Sequence, residues 1–138
     1  MINPKVKQRR RGTVIVDTNK GIILVGLKNQ ESLLLPGGGA EFYETRRQAA
    51  IRELSEETGL KASSVIYLFS YVGEPYQYKN NWVSNSHKVF LITAEGSPSP
   101  RNEIGYIKYY KPGEETKLSK STNTILEKYL RDKQYFSS

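Results

Sequence analysis

Two rhythms of apolar and polar positions run along this chain, one suited to strands and one to helices. Residues 13–17 and 22–27 are β-branched and aliphatic runs. Between them Thr18, Asn19, Lys20 and Gly21 carry turn chemistry, so the spacing predicts a hairpin of two paired strands. Residues 33–35 form a short third apolar run that Pro36 stops, and Gly37, Gly38 and Gly39 then predict a loop open to positive φ. A helix follows. Thr45 with Gln48 three positions on has capping-box spacing, and Gly59 suits a left-handed C-cap. Ala50, Ile51, Leu54 and Thr58 fall on the arc that would pack this helix against a sheet.

Residues 65–72, 87–94 and 104–110 are rich in Val, Ile, Tyr and Phe and predict further strands. The connection over residues 74–86 holds Pro75, Tyr76, Tyr78, Asn80, Asn81 and Trp82, and it suits either a hairpin extension or a substrate loop. Its aromatic residues, with Tyr71, are candidates both for packing and for stacking on a base. Gly96, Pro98 and Pro100 break the chain again. Ile125, Leu126, Tyr129 and Leu130 then recur at helical spacing within residues 119–133, a closing helix with Ser119 or Ser121 as its cap. The order of elements is α/β, with no internal repeat or linker, and 138 residues suit one domain over residues 1–138.

Composition narrows the chemistry. No apolar run approaches the roughly 18 residues of a membrane span, so no membrane partner is expected. With no cysteine, a disulfide scaffold, a thiolate zinc site, an iron–sulfur cluster and a cysteine nucleophile are all excluded. His87 is the only histidine, which makes a catalytic triad a poor fit and an ordinary strand or pocket-edge role the expectation for that residue. No apolar stretch follows the basic N-terminal residues, so the start does not read as a secretory signal and a cytoplasmic location is the default expectation. The net charge of +7 is lopsided: Lys5, Lys7, Arg9, Arg10 and Arg11 make residues 1–11 a basic arm, leaving 16 basic against 14 acidic residues elsewhere. Such an arm is expected to be a solvated tail leading into the first strand, with attraction of a phosphate-rich ligand or RNA as its functional alternative.

The first helix carries the most specific chemistry. Glu53, Glu56 and Glu57 stand at i, i+3 and i+4, within an arc of roughly 100°. Like charges at those spacings repel, so the pattern makes sense around a cation, and an oxygen-only set suits Mg²⁺ or Mn²⁺. Arg52 borders this face and can hold a carboxylate in a ligating orientation. Gly37, Gly38 and Gly39 would let bare backbone approach a metal or a pyrophosphate.

Gly38, Glu44, Arg52, Glu53, Leu54, Glu56, Glu57, Gly59 and Leu60 match every specified position of the signature that marks the Nudix hydrolases. The chain is thereby identified as resembling that family, and the order of its elements is similar to the Nudix fold, an α/β/α sandwich on a mixed sheet. The resemblance implies metal-assisted attack of water on a phosphorus of a nucleoside diphosphate linked to another group X. It implies Glu53, Glu56 and Glu57 as metal ligands, with one of the set as base, and Glu44 and Arg52 as braces of the helix. Some relatives add an acid just before a late strand, and Glu103 is the candidate here. A nucleoside triphosphate, a nucleotide sugar such as ADP-ribose and a dinucleoside polyphosphate all remain open as substrates. Pro75 and Tyr76 are adjacent and satisfy the markers of two different subfamilies. A catalytically idle nucleotide sensor would be expected to show a decayed acid set, and this one is intact. Hydrolysis at an RNA 5′ end is the alternative that uses the basic arm, and many relatives form homodimers.

Overall fold

The computed structural model describes residues 5–137, and the side chains of 5–134. In chain order the strands and helices are β1 (Val6–Ile15), β2 (Asp17–Thr18), β3 (Gly21–Leu27), β4 (Leu33–Leu34), β5 (Gly37–Gly39), α1 (Arg46–Thr58), β6 (Lys61–Val72), β7 (Tyr76–Tyr78), β8 (Asn81–Glu95), β9 (Ile104–Tyr110) and α2 (Lys120–Ser137). One sheet runs β5-β1-β8-β6, with β7 paired to β8, and the other is built on β3, which pairs with β2, β4 and β9. The β1–β8 pair is parallel while β5, β6 and β7 pair antiparallel, so this sheet is mixed.

The burial pattern explains the sandwich. Val14, Val16, Ile23, Phe90 and Ile92 pack with Ala50 and Leu54 of α1, whereas their neighbours Ile15, Ile22, Leu24 and Val89 pack with Ile125, Leu126 and Tyr129 of α2. Successive residues of a strand face opposite ways, and here both faces are covered by a helix. That two-sided burial is why these strands read as continuous apolar runs.

The structure revises the expected hairpin. Only Asp17–Thr18 pairs back on β3, while β1 leaves for the other sheet and lies between β5 and β8. The basic arm is revised with it. Residues 6–11 are not a tail but the first half of β1, in continuous register with β8 from Val6 opposite Trp82 to Ile15 opposite Leu91. Residues 1–4 of the arm lie outside the described residues. The three glycines also form a strand rather than a loop, pairing with Arg11, Gly12 and Thr13. Gly37 keeps the expected positive φ of 142°, in a position where a Cβ would fall onto the Gly12 carbonyl oxygen.

The ends of α1 follow the local chemistry. Thr45 accepts from the Gln48 N–H at 3.1 Å, Gln48 Oε1 accepts from the Thr45 N–H at 2.9 Å, and Gly59 closes the helix at φ 77°. Residues 74–86 turn out to be a hairpin extension: β7 folds onto the start of β8 through Lys79 and Asn80, both at positive φ as a tight primed turn requires. Ser119, rather than Ser121, caps α2, its Oγ accepting from the Thr122 N–H at 3.2 Å. Among the described residues no helix is long and apolar enough to cross a membrane.

Candidate active site

Glu53 and Glu57 lie one turn apart on α1, and Glu103 comes to them from the residue before β9; one carboxylate oxygen from each lies within 4.8 Å of the others. The approach of Glu103 is built by the end of the helix. The last carbonyls of an α-helix lack partners within it, and here the segment before β9 supplies them. Ser99 N–H donates to Thr58 O at 3.0 Å, Arg101 N–H to Glu57 O at 3.1 Å, and Asn102 Nδ2 to Glu56 O at 2.7 Å.

Each acid has a distinct setting. Glu57 is only 6% exposed, and its Oε1 accepts from the Gly37 N–H at 2.8 Å. Burial pushes its pKa up to about 8, the Gly37 bond opposing and the charges of Glu53 and Glu103 adding to the rise. Burial also raises Glu53, against the Arg52 hydrogen bond. Gly38 lies directly under Glu53, where a Cβ would come within 2.6 Å of the carboxyl carbon, so only glycine leaves this side chain its place. Arg52 forks onto Glu44 with Nε to Oε2 at 2.8 Å and Nη2 to Oε1 at 2.9 Å, and its Nη1 reaches Glu53 at 2.9 Å. Those hydrogen bonds hold the Glu44 carboxyl down at about 2. Glu44 in turn accepts from the Glu41 N–H at 3.0 Å, and Arg52 also donates to Gly39 O at 3.1 Å.

Of the residues expected from sequence, Glu53, Glu57 and Glu103 are thus brought together, and Arg52 and Glu44 brace them. Glu56 stands apart from the cluster, half-exposed and paired with Arg52 at 3.2 Å. Gly37 and Gly38 line the site and position its acids, while Gly39 gives its carbonyl to Arg52.

The three acids line a cavity of about 470 Å³, together with residues of β1, β8 and the start of α2. Leu35 and Ile125 give it an apolar wall, and Thr13, Asn85 and His87 a polar one. Arg11 is the one cationic residue that lines it; its guanidinium has no hydrogen bond or ion pair among the described residues, and burial lowers its pKa. Sequence reasoning missed Arg11 as a cavity residue, although Arg9, Arg11 and Thr13 alternate as one face of a strand does. The expected base-stacking residues are placed elsewhere. Tyr71 and Tyr76 border a neighbouring cleft of about 280 Å³, and Tyr78 lies beneath Arg9 at 5.5 Å, outside both.

An oxygen-only donor set at this spacing, held against a glycine, fits a hard divalent cation. The model of the NUDIX domain matches residues 6–132. The chain belongs to the Nudix hydrolase family. A crystal structure described as a nudix hydrolase family member from Chromobacterium violaceum is 35% identical, with a TM-score of 0.77 over 94% of this chain and 80% of that one. The MutT NUDIX hydrolase from Burkholderia pseudomallei is 20% identical, with a TM-score of 0.74 over 88% of this chain and 97% of that one. A bifunctional NMN adenylyltransferase/ADP ribose pyrophosphatase from Francisella tularensis shares the fold at 20% identity and a TM-score of 0.70, over 94% of this chain and 42% of that one. Comparison with curated proteins finds no significant match. Membership makes this Nudix protein a hydrolase of diphosphate linkages.

Proposed function

We propose that this Nudix hydrolase is a Mg²⁺-dependent pyrophosphohydrolase of a small nucleotide, with Glu53, Glu57 and Glu103 holding the cation and Glu56 at its border. The observation that carries the reading is the convergence of three carboxylates in the lining of a cavity large enough for a nucleoside. Bound there, the cation would neutralise diphosphate oxygens and acidify water. The protein supplies the rest. Arg11, whose guanidinium has no hydrogen bond or ion pair among the described residues, is placed to bind a phosphate beside the acids. Water attacks one phosphorus, the bridging P–O bond breaks, and the leaving phosphate keeps the electron pair. A carboxylate of the cluster takes the water's proton.

The fate of the basic arm favours a small nucleotide over RNA. Arg9 is hydrogen-bonded to Tyr76 at 3.4 Å, Arg10 donates to Glu44 O at 2.9 Å, and Arg11 lines the cavity, so the three arginines belong to a paired strand and not to a free arm. Product release with Mg²⁺ or Mn²⁺ from nucleoside triphosphates, ADP-ribose, other nucleotide sugars, dinucleoside polyphosphates and triphosphorylated RNA tests the reading. Glu57→Gln is expected to lose at least about 100-fold in turnover, as removal of a metal ligand or its support does. Full activity in that variant, or selective cleavage of the RNA with affinity falling steeply with salt, would overturn it.

A further inference from the structure

Two side-chain atoms among the described residues are buried with no hydrogen-bond partner, Asn85 Oδ1 and His87 Nε2. Both residues belong to β8, two positions apart and therefore on one face, and both line the cavity that the three carboxylates also line. Buried polar atoms left unpaired cost stability, and native structures hold few of them. Two on one cavity wall point to a ligand that completes them.

The chemistry of the wall restricts that ligand. His87 is 7% exposed and held in place, its Nδ1 sharing a 2.7 Å hydrogen bond with Thr13 Oγ1 and its ring tilted against Tyr71 at 5.8 Å. Burial, with Arg11 adding, pushes its pKa down to about 4, so the ring is neutral and Nε2 donates or accepts according to how the Thr13 hydroxyl points. The Asn85 amide offers both an acceptor and donors. A phosphate would pair with Arg11, which stands opposite His87 in the β1–β8 ladder, but its acceptor oxygens leave Asn85 Oδ1 without a donor and the apolar side chains of Leu35 and Ile125 uncovered. A flat heterocycle with a hydrogen-bonding edge satisfies the polar atoms and covers the apolar wall at once.

We propose that Asn85 and His87 read the edge of the substrate's nucleobase and set the base preference of this hydrolase. The inference rests on the reading of the cavity as the substrate site. It assigns the base to β8 rather than to the aromatic hairpin beyond it.

Equilibrium binding of AMP, GMP, CMP, UMP and ribose 5-phosphate to the full chain with Mg²⁺ tests this, since none of the five has a diphosphate to cleave. Titration calorimetry is run on the wild type, on Asn85→Leu, and on the double variant Thr13→Val/His87→Phe, which leaves no hydroxyl stranded. The wild type is expected to bind one base at least about tenfold tighter than the weakest base and than ribose 5-phosphate. Each variant should narrow that spread to about threefold while leaving ribose 5-phosphate nearly unchanged. Asn85→Leu should melt no lower than the wild type, because it removes an orphaned polar atom, whereas a purely structural role would lower its Tm. Asn85→Ser gives the same binding readout if the leucine variant does not fold. Equal binding of all bases, no gain over ribose 5-phosphate, no saturable binding, or selectivity that survives in the variants would overturn the proposal. Hydrolysis of diphosphates without base preference would sink this inference and leave the hydrolase reading standing; base-selective binding with no diphosphate cleaved would do the reverse.

Discussion

Glu57 binds more protons folded than unfolded, because burial without a cation holds it near 8 against an ordinary carboxyl value of 4.5. A group raised in this way contributes stability that is complete below its unfolded pKa and is lost as pH rises through the folded one. His87 works in the opposite sense, since its folded pKa near 4 lies below the ordinary 6.5, so stability is gained as pH rises between those values. Above pH 6.5 only the Glu57 contribution of these two still changes. In the presence of a chelator, the wild type is therefore expected to lose Tm between pH 6.5 and 9 relative to Glu57→Gln. The variant should melt a few degrees higher at the upper end, and Mg²⁺ should close the gap by stabilising only the wild type. Thermal melts of both proteins across that range measure it, and parallel curves would show that Glu57 does not titrate there. The convergence of Glu53 and Glu57 was legible from spacing, while Glu56, expected with them, turns to Arg52 instead. Arg11 was not legible, because a run of five basic residues in eleven reads as a charged surface until its strand alternation is known.

At the level of elements, what was legible is what is local. Thr45, Gln48 and Gly59 mark the ends of α1 through contacts within a few residues, and the structure bears out both caps. The pairing partners of β1 are far away in sequence, so from local pattern the run from Thr13 reads as half of a hairpin and the three glycines as a loop, although pairing with β1 makes them a strand. The position of Glu103 was half legible. Its place before a late strand was visible, but its docking depends on Asn102, which stands at φ 56° and donates to the open carbonyl of Glu56. Asn102→Gly keeps that backbone conformation and removes only the donor. The expected outcome is a loss of about tenfold in kcat, with stability lowered by no more than about 1 kcal/mol. Steady-state kinetics beside thermal melts check it; an unchanged kcat would show that the backbone bonds of Ser99 and Arg101 suffice to place Glu103.

The molecule as a whole sets the site between the two sheets and the helices that cover them, and its basic N-terminal segment is part of that frame. Removing residues 1–5 is expected to leave turnover within about threefold, because β1 begins at Val6 and the side chains it offers to the cavity come later. Removing residues 1–11 should abolish activity, since Arg11 and half of the ladder with β8 go with it. Assays of the two truncations decide between a frame and a dispensable tail. That same ladder has a consequence in time. Its partners, such as Arg11 and His87, are separated by more than half the length of the chain, and a parallel pair of this kind forms only after a long loop closes. On the ribosome, β1 must therefore wait, unpaired on that side, until β8 has emerged. The walls of the cavity beside the three acids are among the last parts of the protein that can come into being.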